Sequence, residues 1–148
     1  MTPSFFIATL STWRAVHAPL PGATAAAGPF DAIVKLSITA LPGARTAETL
    51  GAEREGTGVV IDASGLILTI GYLILEAGSI LVVAADGRVF PASVVGYDHA
   101  TGFGLVRAAP GLAQRPLALG DSSAVRELTT LLVAAHPAAG GISHACMV

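Results

Sequence analysis

The chain has 148 residues, a length that suits one compact domain with a core large enough to need no disulfides or metals. With 53% hydrophobic and only 12% charged residues, it is too apolar for an intrinsically disordered protein. A formal net charge of −2 gives no electrostatic reason to bind nucleic acid, and a single cysteine excludes a disulfide within the chain.

The N-terminal segment, residues 1–28, is rich in Pro, Ala, Ser and Thr and shows no sustained hydrophobic period. We expect a leader or a disordered N-terminus there. Its short apolar run, Phe5 to Leu10, has no basic segment before it and is therefore a weak signal peptide. The uncharged run between Asp62 and Glu76 is shorter than the ~18 apolar residues of a membrane-spanning helix, and we predict no transmembrane segment.

Short apolar runs separated by turn residues predict β-strands along the rest of the chain. The predicted strands are 32–38, 59–61, 66–70, 79–84, 88–95, 103–106, 128–135 and 142–148. Many short strands at regular spacing are typical of an all-β sandwich or barrel.

The connections between these strands carry their own signals. Asp86-Gly87 predicts a type I′ hairpin turn, in which both central residues have positive φ. Pro91 indicates an edge position or a bulge in its strand. The charged segment from Arg45 to Arg54 is predicted to be a surface loop, and residues 72–77 are predicted to form a single helical turn.

Three segments together resemble the HtrA/Deg-type branch of the trypsin-like (chymotrypsin-fold) serine proteases. They are GTGVVI at 56–61 with GLILT at 65–69, DGR at 86–88 with PASVVGYD at 91–98, and PLALGDS at 116–122. The resemblance covers about Phe30 to Pro137. It implies that residues 29–137 form the first barrel of that fold, a six-stranded antiparallel Greek-key barrel. It also implies that residues 138–148 are the truncated start of a second barrel that is essentially absent.

The resemblance also implies that the catalytic triad is degenerate. In that family the catalytic histidine stands three residues after the Leu-Thr strand end, where this chain has Tyr72. The catalytic aspartate stands four residues after the position of Asp98, where this chain has Gly102. The nucleophilic serine belongs to the second barrel. An ordinary tyrosine titrates near about 10 rather than about 6.5, so it is a poor general base at neutral pH.

These implications predict a catalytically inactive protease homologue or a truncated fragment with a protein- or peptide-binding role. Tyr72, Asp98 and His99 are the candidate cleft-lining residues. Self-association through the barrel face that a second barrel would cover is the other partner prediction. The family resemblance is compatible with a periplasmic location.

Two alternative functions stay open. One is an active serine endopeptidase or hydrolase completed by a partner chain or by unrecognised residues, such as a base displaced to His99. The other is a plain structural or interaction β-barrel module, in which Tyr72 only fills space against Leu73 or Ile74.

We predict neither a metal nor a cofactor. His136, His144 and Cys146 do not have the spacing of a closed zinc site, and the cysteine is explained as a small hydrophobic residue. The glycines of residues 56–58 lack the rest of a nucleotide-binding fingerprint and do not open a predicted helix.

Overall fold

Six antiparallel strands close into a barrel in the computed structural model, which describes residues 28–136 and 143–147. The strands are β1 (Ile33–Ala40), β2 (Glu53–Val60), β3 (Leu66–Ile70), β4 (Ala77–Val83), β5 (Val89–Tyr97) and β6 (Phe103–Ala108). Their order around the barrel is β1-β2-β3-β6-β5-β4. The predicted all-β fold with a six-stranded antiparallel barrel is therefore confirmed.

The remaining elements are short. A second, two-stranded antiparallel sheet is formed by β7 (Leu131–Ala135) and β8 (Ser143–Met147). One helical turn, α1 (Ala47–Leu50), precedes β2, and 3-10 turns occupy Pro29–Ala32, Gly71–Ile74 and Ser122–Ala124. Within the described residues, no helix is long and apolar enough to cross a membrane. The predicted leader falls almost wholly on residues 1–27, outside the described part of the chain.

Alternation of apolar and polar residues decides which face of each strand points into the barrel. On β1, Val34, Leu36 and Ile38 are buried, whereas Lys35 and Thr39 lie on the outer face. Burying a side chain of this size stabilises the fold by about 1.5–3 kcal/mol. The inward residues of β1 thus contribute to a single core that runs through the barrel.

The glycines of β2 make room for that core. An ideal Cβ at Gly56 would lie 2.3 Å from Leu73 Cδ1, and one at Gly58 would lie 2.6 Å from Ile67 Cγ2. Leu73 and Ile67 are themselves buried, so neither can move aside easily. The glycines of residues 56–58 therefore serve close packing inside the barrel.

The predicted loop from Arg45 to Arg54 is wrong at its C-terminal end. The segment contains α1, and β2 begins at Glu53. Arg54 is only 5% exposed, because it occupies an inward position on β2 in phase with Gly56. Because most of this segment is polar, its composition does not indicate that Arg54 is buried.

The hairpin between β4 and β5 falls where the sequence predicts it, but its turn is not type I′. Only Gly87 has positive φ, at 82°, and the turn is closed by hydrogen bonds between the backbones of Ala84 and both Gly87 and Arg88. The edge position predicted for Pro91 is also wrong, since β5 pairs with β4 on one side and β6 on the other. The bulge in β5 lies further along, between Val94 and Gly96.

Candidate functional site

The 3-10 turn Gly71–Ile74 follows β3 and caps one end of the barrel. Leu73 and Ile74 are buried, with 2% and 4% of their surfaces exposed, whereas Tyr72 is 47% exposed. Leu73 and Ile74 anchor the turn in the core, and Tyr72, between buried Gly71 and Leu73, faces outward. Tyr72 is therefore a surface residue, and it does not fill the core beside Leu73 and Ile74.

A second turn, between β5 and β6, lies directly against this one. The Gly71 amide donates a 2.7 Å hydrogen bond to the Gly102 carbonyl oxygen. The ring of Tyr97 lies over Gly71, where an ideal Cβ would come within 1.8 Å of Tyr97 Cε2. The fold thus brings the turn of Tyr72 and the turn of Gly102 together at one end of the barrel.

The backbone at Gly102 suits glycine. Its φ of 75° lies in the left-handed region, which residues with a side chain seldom occupy. The Gly102 amide donates to the Asp98 carbonyl oxygen at 2.8 Å and closes the turn. Nothing lies within 4 Å of an ideal Cβ at residue 102, so the requirement for glycine here comes from the backbone and not from crowding.

Asp98 caps the same turn with its side chain. Its Oδ2 accepts a 2.6 Å hydrogen bond from Thr101 Oγ1, and its Oδ1 accepts one of 3.0 Å from the Ala100 amide. The Thr101 hydroxyl and then the Ala100 amide hold the pKa of Asp98 below its ordinary value. The Asp98 carboxylate thus stabilises its own turn through these two hydrogen bonds.

His99 takes part in an aromatic contact. Its ring meets the ring of Tyr97 edge to face, with 4.3 Å between centroids and 80° between planes. In the part of the chain that the structure describes, no hydrogen bond joins His99 to Asp98. The pair does not have the geometry of a histidine oriented by a carboxylate.

Arg54 is the site residue that the sequence analysis missed. Its guanidinium donates hydrogen bonds to the carbonyl oxygens of Tyr72 and of Leu75, the residue that follows the 3-10 turn; residues 71–75 are called the Tyr72 turn below. The signal that could have revealed it is strand phase. The predicted strand 59–61 is too short; extended back through Gly58 and Gly56, as β2 extends in the structure, the count by two places Arg54 on the same face.

A cavity elsewhere on the barrel does not border this site. A cavity of about 400 Å³ lies at the opposite end of β3, between the turn at Ser64 and the loop at Pro110, with Arg107 at its wall. In that wall, Arg107 donates a hydrogen bond to Ser64 Oγ.

The three residues considered for a metal site divide between described and undescribed parts of the chain. The backbone amide of His136 donates to Thr57 Oγ1 at 3.0 Å. The structure does not describe the side chains of His144 and Cys146. Among the described residues, no three His, Cys, Asp or Glu side chains are grouped to hold a metal ion.

Residues 56–147 match the sequence model of a family, the trypsin-like peptidase domain. This match covers more than half of the chain. The chain belongs to the trypsin-like peptidase family. The closed six-stranded barrel agrees with that assignment.

Individual proteins that this trypsin-like domain resembles include a serine protease and an HtrA-type protease. The chain is 39% identical over 70 residues to HhoA of Synechocystis sp., a protein named as a serine protease; the aligned region is 47% of this chain and 18% of HhoA. Two structures of the HtrA-type protease AlgW, each with a tripeptide and one of them a serine-to-alanine variant, share its fold. Their TM-scores are 0.65 and 0.63 at 24% identity over 78% of this chain. The chain spans 35% of AlgW and less than a fifth of HhoA.

Proposed function

We propose that this trypsin-like domain is non-catalytic and binds an extended apolar peptide segment at the end of the barrel formed by the turns 71–74 and 98–102. The observation that carries the proposal is the exposure of Tyr72. It stands out to solvent between two buried neighbours, at the position that the family resemblance gives to the catalytic histidine.

The side chains at the two triad positions support the absence of catalysis. Tyr72 offers a phenol where the mechanism needs an imidazole that accepts and returns a proton. Gly102 has no side chain with which to orient a base, and its left-handed backbone favours glycine. Loss of triad members lowers kcat by on the order of 10⁴- to 10⁶-fold, because the members act as a unit.

The surface around Tyr72 supports a peptide as the ligand. Ile70, at the end of β3, is 38% exposed and adds apolar area beside the 47% exposed ring of Tyr72. Tyr97 and His99 present a further aromatic edge on the neighbouring turn. Aromatic rings with a polar tip suit such surfaces, because they cover apolar groups while the hydroxyl stays hydrated. The structures of AlgW with a tripeptide favour the same class of ligand.

The test of binding uses fluorescence anisotropy with a fluorescein-labelled hexapeptide of valine and phenylalanine flanked by lysines. A peptide with the same flanks and a serine-glycine centre is the control ligand. We expect saturable binding of the apolar peptide with a Kd below about 1 mM, equivalent to about −4 kcal/mol. Tyr72→Ser should weaken it at least tenfold. Leu81→Ser, which removes a similarly exposed side chain from the outer face of β4, should leave it unchanged.

The test of catalysis is labelling of the same purified chain with a fluorophosphonate probe. We expect no labelled serine. A labelled serine would refute the non-catalytic proposal and favour the active hydrolase. Unlabelled protein that binds neither peptide would instead support a plain structural barrel.

A further inference from the structure

Arg54 carries a full positive charge into the wall of the barrel. It is 5% exposed, and within the described residues it has no carboxylate at ion-pair distance. Burying an arginine is costly unless its donors are satisfied. The partners that satisfy it therefore indicate what it stabilises.

Those partners are concentrated on the Tyr72 turn. One terminal nitrogen donates to the carbonyl oxygens of Leu75 at 2.7 Å and Tyr72 at 3.2 Å, with a longer contact of 3.5 Å to that of Leu73. A short helical turn leaves carbonyls without intrahelical donors at its C-terminal end. The planar guanidinium, with five N–H donors in fixed directions, supplies donors to several of them at once.

The other donors of Arg54 tie the same turn to the segment around α1. Nε donates to the Gly51 carbonyl oxygen at 3.0 Å, and the second terminal nitrogen donates to Thr46 Oγ1 at 2.8 Å. Thr46 in turn donates to Glu76 Oε2 from its hydroxyl at 2.7 Å and from its amide at 2.8 Å. The chain of contacts thus reaches both the turn itself and the residue that follows Leu75.

The backbone at Glu76, directly after the Tyr72 turn, has a conformation that needs stabilising contacts. Its φ is 51°, in the left-handed region that a residue with a side chain seldom adopts without compensating contacts. The amide and then the hydroxyl of Thr46 lower the pKa of its carboxyl, so the Glu76 carboxylate is the form that makes these bonds. The network around Arg54 therefore fixes the exit from the Tyr72 turn as well as its carbonyls.

We propose that Arg54 is a positioning residue for peptide binding: its guanidinium holds the turn 71–75 in the one conformation that presents Tyr72 to the ligand. The peptide-binding part rests on the proposed function, whereas the positioning of Tyr72 is measurable without a ligand. A residue with a merely structural role would lower the unfolding midpoint and leave the surroundings of Tyr72 in the folded protein unchanged.

The experiment compares Arg54→Lys with Arg107→Met in the full chain. Lysine keeps the charge but cannot reproduce the guanidinium fork. Arg107, an exposed arginine on β6 that pairs with Leu66 at the start of β3, is the control. The chain has two tyrosines, so ¹³C-tyrosine NMR with a Tyr72→Phe reference assigns both rings. All variants are measured at temperatures where circular dichroism shows them folded.

We expect Arg54→Lys to move the Tyr72 ring resonances towards those of free tyrosine and to raise the Kd for the apolar hexapeptide at least tenfold. Arg107→Met should change neither. Native resonances and a native Kd in folded Arg54→Lys would overturn the proposal. Should Arg54→Lys not fold, Arg54→Gln replaces it, because glutamine removes the buried charge and the guanidinium fork, and a native Tyr72 resonance with a native Kd in that folded variant would overturn the proposal equally.

The two proposals fail separately. If the unmodified chain binds no hexapeptide, the proposed function is wrong, and the ring resonances alone decide the role of Arg54. A displaced Tyr72 resonance in Arg54→Lys then supports positioning of the turn, and an unchanged one refutes it.

Discussion

Gly71→Ala should separate the two turns on which the candidate site depends. An added Cβ would lie 1.8 Å from Tyr97 Cε2 and 2.9 Å from the Gly102 carbonyl oxygen. The tyrosine ring can swing away, but the carbonyl belongs to backbone that is bonded to the Gly71 amide at 2.7 Å. The methyl group therefore has to push the 98–102 turn away from the 71–74 turn.

The expected cost follows from these contacts. Overpacking at a tight site destabilises a protein by about 1–3 kcal/mol. Replacing glycine restricts the unfolded chain and offsets about 0.4–1 kcal/mol of that loss. A net loss of about 1–2 kcal/mol should lower the unfolding midpoint by about 4–8 °C in a domain of this size.

The assay is thermal unfolding followed by far-ultraviolet circular dichroism, with Gly96→Ala as the matched control. Gly96 also lies in the barrel, but nothing is within 4 Å of its ideal Cβ and its φ is not in the left-handed region. The control should keep or slightly raise the midpoint. An equal or higher midpoint for Gly71→Ala would refute the close approach of the two turns.

Three further predictions concern the core, the turns and the triad position. Thr69→Val should destabilise the fold by about 1 kcal/mol in urea denaturation, because its buried hydroxyl donates to the Thr57 carbonyl oxygen at 2.8 Å, whereas exposed Thr39→Val should not. Hydrogen bonds within their turns lower the pKa values of the Asp62 and Asp98 carboxyls. In acid, the folded chain therefore binds fewer protons than the unfolded chain. Stability should hold above about pH 4, fall as pH drops through the folded pKa values, and fall less in Asp98→Asn; an acid-independent unfolding midpoint would contradict this. Tyr72→His should remain unlabelled by a fluorophosphonate, since residue 102 still supplies no carboxylate; labelling would disprove the account of the degenerate site.

The sequence by itself determined most of the strands and the fold class. Apolar runs bounded by turn residues located β3 over the predicted range and placed β1, β4, β5 and β6 to within two residues at either end. These are local signals, because strand period and turn chemistry depend on neighbours in the chain. The ordered set of segments that resembles HtrA/Deg proteases then identified the barrel, and the family match agrees.

Only the tertiary structure decided which residues near the ends of those strands are buried and which are exposed. The sequence predicts Arg54 to lie in a polar loop. In the structure it is buried, because its guanidinium donates hydrogen bonds to carbonyl oxygens of the Tyr72 turn, about twenty residues away in the chain. The exposure of Tyr72 likewise depends on Leu73 and Ile74 filling the end of the barrel. Such features arise from contacts between distant segments, and no local pattern of polarity encodes them.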